Sequence, residues 1–484
     1  AMNYILNSVS SLPIRARSVG VHKCNGASSK DIFNMFLFET AALFVVALVC
    51  MALLLFAFRE YVADMVAVPT LGTLLNAQTI WLPAIMILAI FILSALLPAR
   101  LFSVIPVTQV FRVSTSGKQG WKRSLLFIQF GGIAFVITLL VIVLLQYDRL
   151  MNNDLGYDPE NIVYAPLNNM DDQKAAKLTA EFKKLPYVTA TGLSSMDILS
   201  GYGGFPILDN EKNWLFTSRQ VNYDADYLSL MKIPLLEGQP LKGDGDILVN
   251  ESFVSKRGWT DAAIGKYIYD DEGNLKGKIV GVTRDFMVNS FFTPQLPVIM
   301  FGSDRMSYCN FTVRVSELTP EYLREMNDKI AELFPNEDVG FTVLKTIIES
   351  QYEGTRHFRD GVFVASIAIL LITLMGLLGY ITDEMHRRSK EIAIRKVNGA
   401  TAPNILRLLS KDVLITAFPA ILLGVIASRV VGESWLRQFA DKIPLTVFIF
   451  ISTALLVLAI IWGCVILKSW NIANENPVRS IKNE

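Results

Sequence analysis

Cysteine and histidine are scarce in this chain of 484 residues: Cys24, Cys50, Cys309 and Cys464, with His22, His357 and His386. The cysteines stand far apart and form no CxxC pair, so they supply neither a disulfide framework nor a cysteine zinc site. The histidines are equally scattered, and no histidine metal site assembles from them within one compartment. Catalytic signatures are missing too, with no GxSxG and no HExxH anywhere in the sequence. Gly117–Lys118, Gly265–Lys266 and Gly277–Lys278 lack the following Ser or Thr and the upstream glycine of a phosphate-binding loop. The chain is therefore not expected to be its own ATPase or any other enzyme, and no cofactor is expected. Charge is sparse, at 18% with a net of +1 and no basic tail, which leaves no case for nucleic acid as a partner.

What the chain has is apolar length. It is 52% hydrophobic with mean hydropathy +0.39, more apolar than a typical soluble domain. Six runs reach or approach the roughly 20 residues that span a bilayer. They lie at 40–58, 80–99, 124–147, 361–382, 413–431 and 445–467. No Asp, Glu, Lys, Arg or His sits in the middle of any run. Ion-coupled transporters place such groups at the midplane, so that class is disfavoured. Gln129 and Thr138, polar groups of the third run, read as helix-packing residues.

Lysine and arginine in short loops set sidedness. Residues 100–123 hold Arg100, Arg112, Lys118, Lys122 and Arg123 with no acid, and 383–412 are similarly basic. Both segments are expected in the cytoplasm, with Arg15–Lys30 and the C-terminal tail. Alternation of six spans then puts 148–360 outside.

Two of these cytoplasmic segments are copies. Residues 15–31 read RARSVGVHKCNGASSKD and residues 388–404 read RSKEIAIRKVNGATAPN. Aligning Asn25 with Asn398 pairs Lys23 with Lys396, Gly26 with Gly399 and Ser28 with Thr401, and further on Glu39 with Asp412. Proline-containing tails follow, IPVTQVFR at 105–112 and NPVRSIK at 476–482. A repeat offset of 373 residues signals a duplicated membrane unit rather than a solenoid. Projected backward, the first span and outer domain of the first unit fall before residue 1, so the sequence reads as an N-terminally shortened two-unit protein.

Each copy predicts an elbow. A basic amphipathic helix with Ile392, Ile394 and Val397 as its apolar positions is stopped by Asn-Gly, because glycine tolerates the left-handed conformation after a helix. Ser28 or Thr401 caps the next helix, and Asp31 completes a capping box with Ser28. An interfacial helix held by anionic headgroups is one reading of such an elbow, and a surface that docks a partner is the other.

RRSKEIAIRKVNGAT resembles the cytoplasmic signature of the FtsX-like permeases, the group that includes MacB-type exporters and lipoprotein-release permeases. ILVNESFVSKRGWTDAAIGKYI (247–268) and KIVGVTRDF (278–286) resemble that family's periplasmic core domain. The resemblance implies a bacterial inner-membrane protein whose elbows dock a separate ABC-type ATPase, in two copies per transporter. It implies a possible further partner in the periplasm or outer membrane. Carried over, the docking residues are Glu391, Arg395, Lys396, Asn398 and Gly399, with Lys23, Asn25 and Gly26 in the first copy. Ser18 and His22 stand where Glu391 and Arg395 stand, so the two sites are not expected to be equivalent. The implied function is transmission of ATP-driven motion to the outer domain, for export, extraction or signalling. The alternative is a membrane receptor with an outer ligand domain, acting through a partner.

The expected fold is a polytopic α-helical membrane protein with six apolar spans and one extracytoplasmic α+β domain. Residues 1–123 close the first unit, 124–147 are the first span of the second, 148–360 the outer domain and 361–484 the remaining permease domain with its elbow at 383–412. Inside the outer domain, NIVYAPL, a helix at 171–184 and YVTATGLS make one strand–helix–strand unit. YCNFTVRV, a helix opened by Thr319 and Pro320, and the strand VGFTVLK make the other. A β-rich lobe is inserted at about 200–300. Asp224–Asp226 and Asp270–Asp271–Glu272 read as solvated loop carboxylates, the latter in a hairpin turn with Gly273-Asn274, and GYGG (201–204) reads as a flexible turn. The topology is testable: a reporter enzyme active only outside the cytoplasm should be active when fused after Asp244 and inactive when fused after Ala400. The opposite pattern would overturn the assigned sidedness.

Overall fold

A computed structural model describes residue 4, residues 12–65, 76, 80–103, 120–170, 172–199, 203–209, 211–259, 261–288, 292–302, 308–335 and 338–473. The proline-containing tails at 105–112 and 476–482 lie outside the described residues, as do Gly201 and Tyr202 of the GYGG turn. In chain order the helices open with α1 (Leu12–Cys24), α2 (Ser29–Ala57), α3 (Arg59–Met65), α4 (Trp81–Ser103) and α5 (Gly120–Asn152). The polar stretch follows as β1 (Ile162–Met170), α6 (Asp172–Phe182), β2 (Val188–Ser194), β3 (Gly203–Leu208), β4 (Trp214–Tyr223), α7 (Tyr227–Met231) and β5 (Leu235–Gly238). It continues through β6 (Asp246–Asn250), α8 (Glu251–Arg257), β7 (Tyr267–Tyr269), β8 (Leu275–Thr283), β9 (Val298–Gly302) and β10 (Tyr308–Val315). It closes with α9 (Pro320–Leu333), β11 (Thr342–Val343) and α10 (Leu344–Gln351). The last helices are α11 (Glu353–Arg387), α12 (Ser389–Val397), α13 (Ala402–Leu436) and α14 (Val447–Ala473).

The chain divides into two compact units, one of Ala1–Tyr147, Gly354–Leu436 and Ile443–Glu484, the other of Asp148–Glu353 and Arg437–Lys442. Among the described residues, five helices are long and apolar enough to cross a bilayer by length and composition: Ser29–Ala57, Arg123–Asn152, Glu353–Met385, Ala402–Leu436 and Val447–Trp470. The sixth predicted span, 80–99, lies in α4, whose apolar stretch is the shorter Trp81–Leu96. Large apolar side chains such as Phe38, Phe448 and Leu467 are more than 70% exposed on these helices, a surface suited to hydrocarbon and not to water.

Helices α5 and α13 run side by side in the same direction. A Cβ built on Gly424 would lie 2.2 Å from the Gly131 carbonyl oxygen, so the two backbones touch there. Further along, a Cβ on Gly432 would meet Ile142. Small residues allow such contact where hydrocarbon provides no hydrophobic drive to pack helices. Thr138 donates to Thr453 at 3.2 Å and so ties α5 to α14, in keeping with its reading as a packing residue. The Gln146 side chain accepts from the Ile443 amide at 2.9 Å.

In the second unit a mixed sheet runs in the order β11-β1-β10-β2-β4-β9-β6-β8-β5, with β3 beside β4 and β7 beside β8. Phe182 of α6 and Met326 and Ile330 of α9 pack on Phe311 and Val313 of β10, so this core draws on both ends of the unit. A second core gathers Phe253 of α8 with Ile247, Ile279 and Ile299 of the inserted strands. The Thr319 hydroxyl accepts from the Tyr322 amide and Pro320 takes the first turn, as expected. The strand predicted over VGFTVLK shrinks to two residues, because Leu344 and Ile348 bury at helical spacing and open α10 instead. The loop Arg437–Lys442 joins this unit through Asp441, which takes two hydrogen bonds from the Arg149 Nε and one from its Nη2, with a further one from Asn153. Phe439 adds a stack on Phe292 with ring centres 5.1 Å apart.

Two hairpins end in the same five-residue turn. Asp270 accepts from the backbone and side-chain amides of Asn274, as expected of a hairpin, and Gly273 is left-handed with φ +92°. Asp209 does the same for Asn213, with Lys212 left-handed at φ +65°. Asp226 is exposed, as expected of a solvated loop acid, but Asp224 departs from expectation. The β2 and β4 ladders meet at one register pair, Ser194 with Tyr223, and Asp224 stands at that seam. Its carboxylate accepts from the Leu193 amide at 2.8 Å, and its other oxygen is buried without a partner among the described residues. Loss of water pushes the Asp224 carboxyl up to about 6, against the Leu193 hydrogen bond and helped by Asp226. It is not a solvated loop acid.

A carboxyl whose folded pKa lies above its unfolded value of about 3.9 favours the fold only while protonated. Its contribution is complete below about pH 4 and lost as pH rises through about 6. Asp224→Asn should leave the seam unchanged near pH 4 and stabilise it at pH 7 by about 1 kcal/mol. Hydrogen exchange over 188–199 in the full chain, corrected for intrinsic rates, reads this. The same effect at both pH values would rule out the titration.

Candidate functional site

The two copied segments fold into the same elbow. In the first, the Asn25, Gly26 and Ala27 amides donate to the Val21, Lys23 and His22 carbonyls. In the second, the Asn398 amide donates to Ile394 and the Ala400 amide to Arg395. The bonds from Ala27 and Ala400 each reach back five residues, the Schellman closure of a helix around a left-handed residue. Gly26 and Gly399 take that place with φ +93° and +88°. Nothing crowds either one, so conformation alone selects glycine there. Ser28 then opens α2 with the predicted capping box, its hydroxyl accepting from the Asp31 amide while the Asp31 carboxylate accepts from the Ser28 amide. The Thr401 carbonyl opens α13 by accepting from Asn404 and Ile405.

One apolar residue is tucked under each bend. Val19 and Ile392 are buried at equivalent positions, as are Ile32 and Ile405 in the helices that follow. The other apolar positions of α12 are not buried: Ile394 and Val397 point outward. Glu391 and Arg395 pair at 2.7 Å on the same outward side, both about half exposed. Asn398 and Gly399 stand exposed at the turn. Lys396 lies in α12 with its side chain outside the described residues. The structure thus gathers Glu391, Arg395, Asn398 and Gly399 at one outward surface, and likewise Asn25 and Gly26 in the first elbow. Lys23 departs from the group: its Nζ donates to the Ser103 carbonyl at 2.8 Å, where a cation complements the end of α4.

A charge cluster at the base of the second elbow was not among the sequence candidates. Arg388, between α11 and α12, donates through Nε to Glu384 and through Nη2 to Asp412 of α13. Arg123 of α5 reaches the other oxygen of Asp412 at 3.6 Å. The Glu384 side chain is almost fully buried, and those of Arg388 and Asp412 are four-fifths and three-quarters covered. Three long helices and the start of α12 therefore share one ionic joint. The i,i+4 spacing of Glu384 and Arg388 was its only local signal. Parallel packing of α5 and α13 brings Arg123 to Asp412, which agrees with both ends lying on one side of a membrane.

Comparison with known proteins adds family information. Residues 1–107 and 363–477 match the FtsX-like permease C-terminal family. The periplasmic region of MacB from Actinobacillus actinomycetemcomitans is similar at 13% identity over 42% of this chain and 97% of its own, with TM-score 0.31. The extracellular domain of the noncanonic ABC-type transporter YknZ from Gram-positive bacteria is similar at 11% identity over 38% of this chain and 99% of its own, with TM-score 0.28. No curated protein matches significantly.

Removing Arg388 would leave two largely buried acids facing each other. Arg388→Met should destabilise the helical unit by about 2–3 kcal/mol, discounted from a fully buried pair for residual solvent access. Adding Glu384→Gln and Asp412→Asn should recover most of the loss. Thermal unfolding of the detergent-solubilised chain measures both steps. Additive losses in the triple variant would mean that these charges do not interact.

Proposed function

Because residues 1–107 and 363–477 make this chain an FtsX-like permease, we propose that it is the membrane subunit of an ABC-type transporter in the bacterial inner membrane. A separate ATP-hydrolysing subunit drives it from the cytoplasm, and it passes that motion to its outer domain. The observation that carries this reading is the duplicated elbow, two helix–Gly–helix bends of one geometry that each hold an exposed turn and buried anchor residue. Two elbows of one backbone geometry suit two copies of the ATPase. Residues 1–123 are the closing part of one permease unit, and 124–484 form the second around the periplasmic domain at 148–360. Spans without midplane charge suit transmission of force better than an ion pathway. The outer domain is then where cargo or a periplasmic partner is engaged, for export, extraction or signalling.

The elbow residues give the test. Glu391→Lys and Arg395→Glu each put like charges where the partner expects a complement, and mispaired charge in an interface costs several kcal/mol. Each single variant should lose the ATPase on co-purification and lose its stimulated hydrolysis. A helix that only rests on anionic headgroups behaves differently: Glu391→Lys would hold the membrane more strongly and keep the ATPase. Wild-type association in both variants defeats the docking assignment.

A further inference from the structure

The two elbows share a backbone and an anchor but not an outward face. In the second, Ile394 and Val397 are 62% and 70% exposed, three residues apart on one stripe of α12. In the first, the equivalent positions are Val21, 58% exposed, and the exposed Cys24. The apolar pair is thus kept in both copies, although α1 and α12 each bury another residue under the bend. The surroundings of the pair differ. Glu391 and Arg395 bridge at 2.7 Å beside Ile394, whereas Ser18 and His22 occupy those places beside Val21.

An ion pair this exposed contributes about 0–1 kcal/mol to its own helix, so folding gives little reason for it. A small apolar centre with opposite charges at its edge suits a protein surface, where the apolar part supplies affinity and the charges fix partner and register. It suits an anionic lipid surface poorly, because Glu391 would face the headgroups. The first elbow offers a similar centre with no fixed charge of either sign at Ser18. Val397 is also bulkier and more apolar than Cys24.

We propose that the two elbows are unequal seats for the ATP-hydrolysing subunit: the second, with Ile394 and Val397 edged by Glu391 and Arg395, is the strong seat, and the first, with Val21 and Cys24 beside Ser18 and His22, is the weak one. This rests on the docking function above. Such a permease starts each cycle from a defined side, because its strong seat fills first.

The natural Cys24 makes a direct test. In the full chain with Cys50, Cys309 and Cys464 replaced by alanine, Cys24 is labelled with a bulky maleimide. A second chain carrying Cys24→Ser and Val397→Cys is labelled in the same way, and its unlabelled form controls for folding. Both are placed in lipid nanodiscs, and the affinity for the ATPase that co-purifies with the unlabelled protein is measured. The label at 397 should weaken binding about ten-fold or more, while the label at 24 changes it less than about three-fold. Equal losses, or a larger loss at 24, overturn the inequality and leave docking intact. No loss at either position overturns the docking reading itself. A gain-of-function arm checks the cause: Ser18→Glu with His22→Arg should raise sensitivity at Cys24 to that at 397, and an unchanged response removes the ion pair as the reason.

Discussion

Much of the helical unit depends on a few charges kept largely out of water. Arg388 stands where α11 passes into the elbow helix, and it is held by Glu384 below it and Asp412 across from it. Arg123 reaches the same Asp412 from α5. Each acid compensates a guanidinium that would otherwise be stranded, and Arg388 separates two acids that would repel. The elbow therefore leaves the bundle from a fixed ionic joint rather than from a loose connection. Motion imposed on α12 is imposed on the ends of three helices together.

The rest of the elbow is decided by local chemistry, and this is why it was legible from residues alone. Asn-Gly stops and the Ser28–Asp31 capping box are short-range devices whose partners lie within five residues, as is the Thr319–Pro320 start in the other unit. The ionic joint was harder to read because Arg123 lies 265 residues before Arg388. Sequence reasoning counts both as charges that set sidedness and has no means of pairing them. The exposure of Ile394 and Val397 was not legible for a related reason. Helical periodicity marks apolar positions, but it does not say whether a neighbour exists to cover them.

The outer unit shows the same division. The turn at Asp270 was found through its glycine, and its twin at Asp209 was missed because Lys212 takes the left-handed position without one. The seam at Ser194 and Tyr223 depends on a strand of the first strand–helix–strand unit meeting one of the inserted lobe. Nothing in the local sequence marks Asp224 as the acid that this meeting deprives of water. The shortened strand at Thr342 is a competition in which the burial of Leu344 and Ile348 as a helix prevails over β-branched residues.

The hold of Arg149 and Asn153 on Asp441 has a consequence for anyone who cuts this protein apart. By its contacts, the six-residue loop Arg437–Lys442 is as much a part of the outer unit as any of its strands. A fragment excised as one continuous stretch from 148 to 353 loses it. Arg149 is then left without its acid and the Phe292 ring without the Phe439 ring stacked on it. Grafting the loop back after Glu353 through a short flexible linker would return the missing piece to its natural neighbours. The true boundary of this domain is a surface in space and not a pair of positions along the chain.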